Sequence, residues 1–235
     1  MIALISSTLY PSASHSYDGA RSRFSNLERL EHTKGTVASL VALGFKRIVI
    51  ADNSLDWHPA TEASLAPAEV WRIPTPEFRN RGLSELFLLR AAAARLPANE
   101  PVIKVSGRYL LSRNPLTYIG DADVAVKGDS FTKRNGAMST RAYGCRDVAT
   151  FQRLLTFSIT EIFAYPARIV GPGSLLRIIR ASLWPAKDTF SYDDPPHSIE
   201  LVMARSIKLM KLKVHFLSPL GVRGILAGSG ETIDE

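Results

Sequence analysis

Short β-branched runs that alternate with helix-like stretches constrain this chain more than any other feature. Residues 2–7 are almost wholly apolar and end in Ser6-Ser7-Thr8, which predicts a first strand buried on both faces. Ser25-Asn26-Leu27-Glu28 has the spacing of a helix-capping box, and Leu27, Leu30, Val37, Leu40 and Val41 then recur at helical spacing until Gly44. Ile48-Val49-Ile50-Ala51 is a second buried run, ending in Asp52-Asn53-Ser54. Strand, capped helix and strand in that order predict a right-handed βαβ unit with parallel strands. The pattern recurs: residues 70–73 predict a strand, 74–81 a turn-rich loop, 83–96 a helix, and a further strand begins at Val102. The fold class that follows is α/β, with a mostly parallel central sheet and helices on both faces.

Past Tyr109 the alternation breaks down. Residues 121–126, 137–143 and 214–217 read as strands, and 148–157, 175–184 and 199–212 as helices. The glycine-rich stretch 221–230, with Arg223, reads as a loosely ordered terminus or as a lid. No internal repeat or linker divides the 235 residues, and 46% hydrophobic composition is enough for one sizeable core. A single Rossmann-like domain over residues 1–235 is therefore expected, with residues 1–110 forming the ligand-binding half.

Twenty-nine basic against 22 acidic residues give a net charge of +7, which favours anionic partners such as nucleotides, phosphorylated head groups or a membrane surface. Nucleic acid is not expected as a partner, because the chain has no basic stripe interleaved with aromatics and no zinc, RRM or KH signature. Arg168, Arg177, Arg180 and Lys187 surround Leu175-Leu176, Ile178-Ile179 and Leu183-Trp184. That composition suits peripheral contact with an anionic membrane, and equally a core helix with a snorkelling basic face. No run approaches the roughly 18 apolar residues of a membrane span, and residues 1–5 lack a basic flank, so a cytoplasmic location is expected. The single cysteine, Cys145, excludes an internal disulfide and a cysteine-based metal cluster.

Val102-Ile103-Lys104-Val105-Ser106-Gly107-Arg108-Tyr109 carries the strongest chemical signal: a buried strand runs into a lysine, a glycine, an arginine and a tyrosine. Lys104 offers a point charge and Arg108 a planar fork for phosphate or carboxylate, while Gly107 permits close backbone approach. An ordinary solvated strand end has the same composition. In α/β sheets ligands lie beyond the carboxyl ends of the strands, so Ser6-Ser7, Asp52-Asn53-Ser54, Asn80-Arg81-Gly82 and the segment from Lys104 to Tyr109 are expected to converge. Asp52 is placed either to receive base or ribose hydroxyls or to form an Asx turn. The first strand is followed by neither a Rossmann glycine fingerprint nor a Walker loop, which argues against dehydrogenases and P-loop enzymes.

Taken together, the Ser-Ser-Thr strand end, the helix with Glu28-Arg29 and Thr33, the Asp52-Asn53-Ser54 end, Asn80-Arg81-Gly82-Leu83-Ser84-Glu85 and Lys-x-Ser-Gly-Arg-Tyr resemble bacterial and viral GT-A-type glycosyltransferases of the nucleotide-diphospho-sugar transferase superfamily. The resemblance implies that Ser6, Ser7, Asp52, Asn53 and Ser54 hold the nucleoside and that Asn80, Arg81 and Gly82 lie near the nucleotide sugar. It also implies a departure. Where such enzymes carry a metal-binding Asp-x-Asp, this chain has Lys104, Ser106, Gly107, Arg108 and Tyr109. Lys104 and Arg108 are then expected to neutralise the diphosphate directly, with no obligatory cofactor and with manganese or magnesium optional. Asp121-Ala122-Asp123 is the alternative metal pair, or merely an acidic loop-to-strand junction.

The resemblance further marks the start of the last long helix, where Glu200 is either the catalytic base or a first-turn residue favoured by the helix dipole. His197 shares its face, and Asp193 and Asp194 are the reserve. The implied reaction is an inverting transfer of a sugar from a nucleotide-sugar donor to a saccharide or lipid-linked glycan in bacterial surface polysaccharide or lipopolysaccharide synthesis. The implied location is the cytoplasm or the inner face of the membrane, and residues 111–235 would form the acceptor side. A nucleotidyltransferase acting on a sugar phosphate and a non-catalytic nucleotide-sugar-binding subunit remain as alternatives.

Overall fold

The computed structural model describes residues 1–11, 24–76, 78, 80–128, 137–164, 198–225 and 230–235, with five more positions between 172 and 179. The first half follows the expected alternation: β1 (Ile2–Ser7), α1 (Asn26–Ala42), β2 (Arg47–Asp52), the short α2 (Pro59–Ser64), β3 (Glu69–Arg72), α3 (Arg81–Ala93) and β4 (Val102–Ser106). The second half adds β5 (Tyr109–Leu111), a 3-10 turn at Pro115–Tyr118, β6 (Val124–Lys127), β7 (Ala142–Cys145) and α4 (Val148–Ala164). It closes with α5 (Ile199–Leu209), β8 (Val214–Leu217), β9 (Val222–Ile225) and β10 (Thr232–Asp234).

Seven strands form the main sheet in the order β3-β2-β1-β4-β7-β6-β8. All neighbours are parallel except β7, which runs antiparallel to both β4 and β6. Strand pleating divides the core in two, because alternate residues face opposite sides. Ile2, Leu4 and Val102 pack with Leu86, Leu89, Phe151 and Met203 of α3, α4 and α5. Ala3, Ile5, Ile103 and Val105 pack with Val37 and Leu40 of α1 on the other face.

Local chemistry accounts for the helix starts that matter. The Ser25 hydroxyl accepts the Glu28 amide while Glu28 reaches back to the Ser25 amide, closing the capping box of α1. The Asn80 side chain accepts the Leu83 amide at 3.0 Å and so caps α3. Gly82 lets α5 approach: a Cβ there would stand 2.7 Å from that of Ile199.

Several expectations need correction. Residues 137–141 are not strand, and β7 begins only at Ala142. The strand expected over 121–126 begins at Val124. The glycine-rich tail is neither loose nor a lid over its described part, because β9 pairs with β5 and β10 with β9 in a second, three-stranded antiparallel sheet. The chain passes from the main sheet to this one at Gly107 and Arg108, between β4 and β5. The helix expected over 175–184 and its basic cluster lie largely outside the described residues, as do His197, Asp193 and Asp194. Among the described residues no helix is long and apolar enough to cross a membrane.

Candidate functional site

Parallel register brings the strand ends together. Ser6 lies beside Ser106 on one side and Ala51 on the other, and Ser7 lies beside Asp52. Above them opens a cleft of about 240 Å³ between the amino-terminal halves of α1 and α3. Its walls include Ser6, Ser7 and Thr8 after β1, Asn53 after β2, and Ser106, Gly107 and Arg108 after β4. Helix α1 contributes Arg29, His32 and Thr33, and α3 contributes Arg81, Ser84 and Glu85.

Three guanidinium groups dominate the electrostatics. Arg29 is held by backbone carbonyls, donating Nη1 to Thr8 at 2.9 Å and Nε to Phe24 at 3.3 Å. Burial, with the neighbouring charges of Arg108 and Arg81, pushes its guanidinium below the ordinary value. Arg108 is exposed, stacks over the Tyr109 ring at 5.3 Å, and forms no salt bridge among the described residues. Like charges crowded this way cost free energy that a bound anion would recover.

Lys104 does not take the expected place. It shares the pleat of Val102, so its side chain enters the α3 face of the sheet and is 1% exposed. Its Nζ meets Glu85 Oε1 at 2.7 Å, Ser106 Oγ at 2.7 Å and the Thr140 carbonyl at 2.5 Å. A buried ammonium needs such partners, and Lys104 is consumed in neutralising Glu85 rather than facing the cleft. Burial opposes the charge on Glu85, yet the Lys104 ammonium and the hydroxyl of Ser6 outweigh it and hold the carboxyl below its ordinary range.

Asp52 is also withdrawn. Its carboxylate accepts the Leu9 amide at 2.9 Å and the Ser54 amide at 2.8 Å, so it forms the Asx turn and ties the loop after β1 to the end of β2. Ser54 accepts the Tyr10 amide at 2.9 Å for the same purpose. Asn53 does reach the cleft and accepts a hydrogen bond from the Thr8 hydroxyl at 2.5 Å. Tyr109 is buried beneath Arg108, while Asn80 and Gly82 shape the start of α3. Gly107 is closely packed, since a Cβ would stand 3.2 Å from side-chain atoms of both Ile5 and Thr33.

Asp121 and Asp123 lie at the opposite, amino end of the sheet. Asp121 pairs with Lys213 at 3.0 Å and Asp123 with Arg146 at 2.8 Å, so cations already occupy the pair proposed for a metal. Glu200 is in the first turn of α5, accepting from the Thr140 hydroxyl at 3.2 Å, and is not part of the cleft wall. Arg29, Thr33, Ser84 and Glu85 stand in the motifs read from sequence without an assigned role. Their signal was weak but present: Arg29 and Thr33 lie four residues apart and so share one face of α1.

No protein-family model matches this chain, and no curated protein matches it in sequence. Among solved structures, an active-site mutant of LgtC superposes with a TM-score of 0.51 at 9% identity, over 92% of this chain and 72% of that one. The galactosyltransferase LgtC in complex with donor and acceptor sugar analogues gives 0.48 at 10% identity, over 92% and 73%. A nucleoside-diphosphate-sugar pyrophosphorylase from Vibrio cholerae RC9 gives 0.46 at 11%, over 92% and 91%. The fold is thus α/β of the GT-A-like class, a mostly parallel seven-stranded sheet flanked by helices.

Proposed function

We propose that this protein is a glycosyltransferase that moves a sugar from a nucleotide-sugar donor to a hydroxyl of a saccharide or lipid-linked glycan. The observation that carries this reading is the convergence of Arg29, Arg81 and Arg108 on one cleft at the carboxyl ends of β1 and β4. Sugar departure leaves growing negative charge on the diphosphate, and preorganised cations aimed there lower the barrier by about 3 kcal/mol each. Asn53, Ser7 and Thr8 would hold the nucleoside.

The described wall of this cleft does not supply the ligand set of a divalent ion. Hard cations take several oxygen ligands, and the one carboxylate on the described wall, Glu85, is bound to Lys104. The arginines therefore take the neutralising role in this reading, with no obligatory metal. Glu200 accepts from the Thr140 hydroxyl and lies outside the described cleft wall, so this reading assigns neither the acceptor's base nor an inverting course. The +7 charge favours acceptors at an anionic inner membrane face, as surface polysaccharide synthesis from the cytoplasm would require.

A thermal-shift series with UDP, GDP and dTDP and their glucose conjugates, each with manganese and with chelator, tests the reading. A bound ligand raises the melting temperature by mass action. At least one nucleotide sugar should stabilise the protein in chelator. If none does so under either condition, the proposal fails.

A further inference from the structure

We infer that Glu85 is a specificity-determining residue that accepts a hydrogen bond from a hydroxyl of the donor's sugar through its Oε2. This inference rests on the glycosyltransferase reading and names a contact within the same cleft.

The two oxygens of this carboxylate are not equivalent. Both hydrogen bonds it receives go to Oε1, from the Ser6 hydroxyl at 2.6 Å and the Lys104 ammonium at 2.7 Å. Oε2 has no partner among the described residues, and the side chain, 22% exposed, lines the cleft. One oxygen is therefore anchored while the other is left to the cleft. Such an arrangement fixes the rotamer in advance, so little side-chain entropy is lost when a ligand arrives.

The charge state determines what Oε2 can do. Lys104 and Ser6 keep the carboxyl ionised below its ordinary range, which makes it a poor proton acceptor and a strong hydrogen-bond acceptor. An ionised carboxylate repels a diphosphate, so its ligand is a neutral donor group. Hydroxyls of ribose, N–H groups of the base and hydroxyls of the transferred sugar are the available kinds, the first two belonging to the nucleoside.

Position separates them. Strands β2 and β4 flank β1 on opposite sides, and the nucleoside contacts Asn53 and Thr8 belong to the β2 side. Glu85 belongs to the β4 side, tied through Lys104 to the Thr140 carbonyl, and the Thr140 hydroxyl donates to Glu200 at the start of α5. A donor whose diphosphate meets the arginines and whose nucleoside lies toward β2 places its sugar toward Glu85. A site that hydrogen-bonds a substrate hydroxyl also discriminates strongly against analogues lacking it, because the buried polar group is then left unpaired.

The test uses calorimetric titration with UDP, GDP and dTDP and their glucose conjugates. Glu85→Gln alone strands the buried Lys104 charge and can unfold the protein. The informative variant is Glu85→Gln combined with Lys104→Met, which removes one negative and one positive charge and leaves the net charge of the cleft unchanged. For whichever pair the wild type binds, the double variant should keep the nucleoside diphosphate within about twofold and bind the nucleotide sugar at least about tenfold more weakly. Equal binding of the nucleotide sugar by both proteins overturns the inference. Equal loss of both ligands also overturns it, assigning Glu85 to structure. A wild type that binds no nucleotide or nucleotide sugar instead removes the parent reading, and this inference with it.

Discussion

At the scale of single residues, the cleft is a contest between cations and the carboxylate that moderates them. Arg108 is exposed and, among the described residues, is held by a ring stack and forms no ion pair, so its removal should harm binding more than folding. Arg108→Ala is expected to weaken nucleoside diphosphate binding by about 10- to 100-fold with little change in melting temperature. Calorimetry alongside a thermal melt checks both halves. Glu85 gives a pH signature of definite sign. Its folded-state pKa lies below the ordinary value, so the stability it contributes is full above the ordinary carboxylate range and is lost as pH falls toward the folded value. Melting temperature should decline between about pH 5 and pH 3, and the Glu85→Gln, Lys104→Met double variant should flatten that decline. The sequence made Arg108 legible and hid Lys104. A lysine on a strand end reads as a free cation, and its counter-ion sits on another element that only tertiary packing brings near.

At the scale of elements, α1 and β2 were readable because their information is local: a capping box, an apolar period, a β-branched run. The residues expected at β1 and β4 ends did meet, since parallel pairing without offset sets Ser6 beside Ser106. Strand β7 and the β9–β10 hairpin were misread for the opposite reason. Their partners, β4 and β5, are distant in sequence, and a glycine-rich stretch carries little propensity until a neighbour supplies the ladder. Contact between α3 and α5 likewise turns on one missing side chain. Gly82→Ala should cost about 1–3 kcal/mol through the clash with Ile199, measured by urea unfolding. Stability equal to wild type would show that the two helix starts can part without penalty.

At the scale of the whole molecule, Glu235 bridges the two sheets. Its carboxylate meets Arg141 at 2.5 Å and Lys127 at 2.9 Å, while its backbone carbonyl accepts from the amides of Gly221 and Val222. Glu235→Gln should lower unfolding free energy by about 1–2 kcal/mol and steepen the loss at low salt relative to high salt. Urea unfolding at two ionic strengths would show it; no difference would mean the small sheet stands without this brace. Because the polypeptide turns the corner from one sheet to the other at Gly107, the arginine beside that corner is mounted on a joint. Slack in the small sheet would thereby reach the phosphate contact proposed for Arg108, and a lesion far from the cleft would then present as weakened affinity in a protein that still melts as one.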